Sequence, residues 1–138
     1  MTLSRSDLVT TGIVLLVLVT VGYGGTFLLK VVTGRQPAND LQRSFFRAGH
    51  AHAGVLIILG LVVRLCLQHP AVPAWSSTLA SFVLYAAILM SAGFFLSAVG
   101  RDPQGPNRWI ILLWVGAVSL TVGLVGAGAG LIVAGMTA

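Results

Sequence analysis

Leu8–Leu29 reads LVTTGIVLLVLVTVGYGGTFLL, 22 consecutive residues without Asp, Glu, Lys or Arg. A helix crosses the ~30 Å hydrocarbon core of a bilayer with ~20 predominantly apolar residues, so this stretch alone is enough for one crossing. It is longer than the ~7 to 15 residue apolar region of a secretory signal. It also closes on Tyr23-Gly24-Gly25-Thr26-Phe27, with no Ala-x-Ala cleavage site, and therefore reads as a retained span. Three further runs free of those four charged residue types follow, at Ala48–Val63, Trp75–Gly100 and Trp109–Ala138. The second is short, so its helix must draw on the charged residues that flank it. The expectation is one domain, 1–138, an all-α polytopic membrane four-helix bundle with spans at about 8–32, 41–68, 75–100 and 108–136.

The rest of the composition agrees. Of 138 residues 57% are hydrophobic and only 8% charged, with a mean hydropathy of +0.97, whereas soluble domains carry about 25% charged residues. Eight Lys and Arg stand against three Asp and no Glu, a formal charge of +5. These cations are scattered singly between apolar runs, without the basic stripe of a nucleic-acid footprint, so no nucleic-acid partner is expected and the lipid bilayer is. Their distribution orients the chain. Lys30, Arg35, Arg43, Arg47, Arg101 and Arg108 lie in or beside the first and third loops, and only Arg5 and Arg64 lie on the other side. The excess predicts cytoplasmic loops 1 and 3 in a multi-pass cell-membrane protein, with both termini outside. Trp75 on the outer side, with Trp109, Phe45, Phe46, Phe94 and Phe95 on the inner, fits aromatic anchoring at the membrane edges.

Between spans the punctuation is clear. Thr33–Asp40, His69–Pro73 and Arg101–Asn107 are rich in Gly, Pro, Asn and Asp. Asn39 or Asp40 is placed to cap the second helix, and Asn107 the fourth. The fourth span carries two small-residue ridges, Ser119-Gly123-Ala127 and Gly126-Gly130-Ala134. That pattern marks close helix association, with a partner either inside the bundle or in another subunit. The two halves of the chain show no repeat that would point to an inverted-repeat transporter.

Chemistry concentrates in Phe45-Phe46-Arg47-Ala48-Gly49-His50-Ala51-His52-Ala53-Gly54. Ionisable residues at membrane depth are functional candidates by default. Arg47 and Arg64 are ~25 Å apart along a helix, so both can reach opposite interfaces, and His50 and His52 then lie ~4.5 and ~7.5 Å deeper than Arg47. Tyr23 and Thr26 fall at a similar depth on the preceding helix. The candidate site is thus a polar pocket of Arg47, His50, His52, Tyr23 and Thr26 that binds a small or anionic ligand or relays protons. The competing reading is that the imidazoles fix helix packing. As metal ligands His50 and His52 are handicapped, because on a regular helix they point ~200° apart. A haem b or copper site would need local unwinding at Gly49, or a two-fold dimer supplying His50 from each subunit. Cys66 and His69 make only half a metal site.

The decapeptide, with Tyr23-Gly24-Gly25, resembles a group of small uncharacterised four-span bacterial membrane proteins. The resemblance covers the first two spans best and brings no activity with it. What is absent narrows the field further: Asp7, Asp40 and Asp102 all flank the spans, which removes the usual carriers of carboxylate-based proton pumping and cation-coupled transport. No hydrolytic nucleophile stands beside a base, so an enzyme is the least supported class. The expected function is a non-enzymatic membrane protein, a homo-oligomer or a subunit of a membrane assembly, with a redox protein holding haem or copper as the alternative.

Overall fold

The computed structural model describes residues 5–137. It is an all-α four-helix membrane bundle of α1 (Arg5–Val32), α2 (Asp40–Cys66), α3 (Ala74–Ser97) and α4 (Ile111–Thr137), the last entered through a single 3-10 turn at Arg108–Ile110. Each span is long and apolar enough to cross a membrane. The chain ends whose side the loop charges predict, before Arg5 and at Ala138, lie outside the described residues.

The second helix gains its length from the polar side. Asn39 Oδ1 accepts the Gln42 backbone N–H at 2.9 Å, and Gln42 Oε1 accepts the Asn39 N–H at 3.1 Å. This reciprocal box satisfies two backbone donors that a helix start leaves open, so α2 begins at Asp40, ahead of the apolar run. The same two side chains hold the third loop. Asn39 Nδ2 donates to Asp102 Oδ1 and to the Pro103 carbonyl, both at 2.8 Å, and the buried Gln42 Nε2 donates to the carbonyls of Ala98 and Gly100. Gly100 stands at φ 152°, a conformation open to glycine. Taking these carbonyls out of the helix ends α3 at Ser97, three residues short of the expected boundary at 100.

Packing follows chain order, α1 on α2, α2 on α3 and α3 on α4, with the last pair the most extensive. The small ridges of α4 meet α3 of the same chain. Ser119, Gly123, Gly126, Ala127, Gly130 and Ala134 are all buried. A β-carbon at Gly123 would stand 2.8 Å from the Val83 backbone nitrogen, and one at Gly130 would overlap the Ser76 side chain. Two hydroxyls stitch the seam, Ser76 Oγ donating to the Gly126 carbonyl at 2.9 Å and Ser119 Oγ to the Phe82 carbonyl at 2.8 Å. The partner left open by the sequence is therefore inside the bundle. Leu56 and Ile57 of α2 pack with Ala86, Ala87 and Met90 of α3 in the central core.

Helix α1 is the least embedded and buries only Val31. It is held near its start by an ion pair, Arg64 Nη2 to Asp7 Oδ1 at 2.5 Å, with both side chains about four-fifths buried. Arg64 is thus paired across helices where the sequence suggested simple snorkelling. At the opposite end of the bundle Phe27 meets Phe46 edge-on at 5.5 Å, Phe46 stacks on Phe95 at 5.7 Å, and Phe45 meets Phe94 at 5.7 Å. These phenylalanines face one another between helices, so four of the rings expected as membrane-edge anchors are packing residues instead.

Candidate functional site

Helix α2 runs unbroken through Gly49, and this decides where its two imidazoles point. Gly49 is buried: a β-carbon there would stand 2.9 Å from the Phe95 ring and 3.0 Å from Phe94 Cβ. The glycine therefore serves close approach to α3, without unwinding. On the regular helix His50 and His52 diverge as their spacing requires.

His52 faces α3. Its ring centroid is 4.9 Å from that of Phe94, and its Nδ1 is 2.8 Å from the Ala48 carbonyl. A carbonyl only accepts, so Nδ1 carries the proton and a neutral His52 keeps its lone pair on Nε2. His50 faces α1. Its ring lies over Gly24 and Gly25, where β-carbons would stand 3.8 Å from Nδ1 and 3.6 Å from Nε2, an ordinary van der Waals distance. This contact realises the antiparallel register in which Tyr23 to Thr26 share the depth of His50. The His50 ring is half-buried and has no hydrogen-bond partner among the described residues.

The other candidates are distributed differently. Tyr23 is 78% exposed. Thr26 is exposed and donates its hydroxyl back to the Tyr23 carbonyl at 2.7 Å. Arg47 is exposed on a third face of α2, in an open groove of about 690 Å³ lined by Asp40, Arg43, Ser44, Arg47, Ala48 and Ala51. Neither Arg43 nor Arg47 has an ion-pair partner among the described residues. The five predicted residues therefore form no single pocket: Tyr23 and Thr26 are exposed on α1, and around α2 stand Arg47 in the groove, His50 on the α1 seam and His52 on the α3 seam.

For metal chemistry the divergence matters most, because His50 and His52 of one chain cannot ligate the same ion from opposite faces. Among the described residues no group of three or more His, Cys, Asp or Glu is arranged to hold a metal. Cys66 is exposed, and His69 Nδ1 accepts the Ala71 N–H at 3.3 Å within its own loop. The haem and copper expectations thus find no ligand set within one chain.

Sequence reasoning missed three elements around this region. Gln42 was legible as the fourth residue of an Asn-x-x-Gln capping pattern. Arg43 and Ser44 were legible only as neighbours of Arg47 at helical spacing. The Asp7–Arg64 pair, 57 residues apart, was foreshadowed by one carboxylate and one cation at the same end of neighbouring spans. Beside that pair Arg64 Nε is buried without a partner among the described residues.

Fold and site together define a class, an all-α multi-pass membrane protein with a cationic groove at one end of its second helix. Comparison with known proteins found no matching family, no matching curated protein and no matching solved structure.

Proposed function

We propose that this protein is a non-enzymatic membrane subunit, working as an oligomer or within a larger membrane assembly, that binds a small or anionic ligand at the Arg47 end of α2. In this reading Arg47 supplies charge at the membrane boundary, and His50, one turn deeper, supplies an uncommitted imidazole. Loops 1 and 3 are cytoplasmic by their excess of Lys and Arg, which puts the groove on the inner side of the cell membrane.

The observation that carries the reading is the groove itself, where two arginines one turn apart stand without an ion-pair partner among the described residues. Unpaired guanidinium groups offer planar forks of N–H donors suited to carboxylate or phosphate oxygens. His50 and Arg47 are three residues apart, so a ligand held by the arginine comes within reach of the helix face that leads to the imidazole.

The test uses purified protein with 15N-labelled histidine in detergent. Addition of inorganic phosphate or of an anionic amphiphile is expected to move the His50 ring resonances and leave those of His69, at the opposite end of α2, in place. Failure of both anions to move His50 would overturn the reading. A visible spectrum and metal analysis of the same sample form the second arm, since a Soret band or stoichiometric copper would replace anion binding with the redox alternative.

A further inference from the structure

The geometry points to an anionic phospholipid as the ligand of the Arg47 groove, its phosphodiester held by Arg43, Ser44 and Arg47 and one acyl chain laid along the outward face of α2. This rests on the reading of the groove as an anion site and names its ligand class.

Three features carry it. The first is charge. Arg43 and Arg47 outnumber Asp40 in the groove, and Asp40 sits in the first turn of α2, where a carboxylate complements the helix N-terminus. The guanidinium groups, free of ion pairs among the described residues, remain for a phosphate, with the Ser44 hydroxyl in the same groove as a further donor.

The second is continuity with an apolar surface. Asp40, Ser44, Arg47 and Ala51 recur at spacings of four, three and four, which is one helix face. The same face runs on through Val55, Ile58 and Val62, exposed by 64, 54 and 50%. Among the described residues no helix covers it. A free phosphate would use only the polar end, whereas a lipid uses the whole stripe, with a charged head at the boundary and an apolar tail below it.

The third is shape at the junction. Ala48 and Ala51 line the groove immediately below the arginines. Their methyl groups leave room where the glycerol and the first carbons of an acyl chain must turn down the helix. Larger side chains begin only at Val55, one turn deeper.

Native mass spectrometry of the full-length protein released from detergent, with dioleoyl phosphatidylglycerol and dioleoyl phosphatidylcholine at equal concentration, tests the assignment. Wild-type protein is expected to retain phosphatidylglycerol preferentially. Arg43→Gln with Arg47→Gln is expected to reduce the preference by up to roughly 30-fold, the factor that two interfacial arginines supply. Arg35→Gln with Arg101→Gln removes the same charge from exposed loop positions and is expected to leave the preference intact. Both double variants alter exposed residues, and unchanged thermal unfolding will verify their folding.

Equal retention of the two lipids, or an equal loss of preference in both double variants, overturns the lipid site. Displacement of phosphatidylglycerol by equimolar inorganic phosphate also overturns it while preserving the anion site of the preceding proposal. An Ala51→Cys variant in a Cys66→Ser background that cross-links to itself in phosphatidylglycerol vesicles would put a second copy of this chain on the stripe, and would likewise overturn it.

Discussion

A methyl group on residue 49 would press into the ring of Phe95 and the β-carbon of Phe94, and one on residue 123 into the backbone of α3 at Val83. Gly49→Ala and Gly123→Ala are each expected to destabilise the protein by about 1–3 kcal/mol, the usual cost of overpacking a close contact. Gly128→Ala meets nothing within 4 Å, so it is expected to be neutral or to stabilise by up to about 1 kcal/mol through helix propensity. Thermal unfolding in one detergent compares all three. Gly25→Ala belongs with the tolerated changes, because its β-carbon would rest on the His50 ring at an ordinary distance. At this scale the sequence was partly legible. The divergence of His50 and His52 follows from their spacing alone, and the structure has it. The reason for Gly49 was hidden because it depends on the register of α3, which no residue of α2 discloses. That Arg47 opens on the groove while His50 turns to α1 was not legible, because residues three apart are neighbours on a helix surface. That Tyr23 turns outward was not either, because the rotation of α1 about its own axis is set by tertiary contacts.

The first helix is the loosest element, with one buried residue and an ion pair near its start. Asp7→Asn is expected to cost about 2 kcal/mol, the range of hydrogen bonds to charged groups, because it leaves the largely buried Arg64 guanidinium without its carboxylate. The signature should be local, with hydrogen exchange rising along α1 while α3 and α4 keep their protection. The polar box at the start of α2 makes a second element-scale case. Gln42→Ala removes donors to two carbonyls of loop 3 together with half of a capping box, and about 1–3 kcal/mol of destabilisation is expected from the buried groups left unpaired. Limited proteolysis within residues 98–107 should quicken in that variant. The four helices were legible in the apolar runs, and Asn39 as a cap in its residue type. The link between loops 1 and 3 was not, because it joins residues about 60 positions apart whose proximity is a product of the bundle.

For the whole molecule the sequence foretold an all-α four-span bundle, and it did so because a bilayer leaves a chain so few ways to satisfy its backbone. It could not say which surfaces are internal, since small residues on α4 read alike whether they meet α3 or another subunit. Orientation is tested at this scale. Reporters joined to either end of the chain are expected on the outer side of the membrane and one inserted at Gly105 on the inner side, so a C-terminal reporter found in the cytoplasm would overturn the charge argument. The α3–α4 seam has one more consequence. Of the six glycines in α4, four (Gly116, Gly123, Gly126 and Gly130) serve that tight fit, and each of the six costs a helix in water about 1 kcal/mol relative to alanine. Such a segment would fray in water and holds its shape because hydrocarbon offers its peptide groups no other partner. Hydration therefore sets a limit on the fold. Short-chain detergents that admit water should unravel α4 from its glycine-rich second half while α2, with three glycines and a capped start, is still wound.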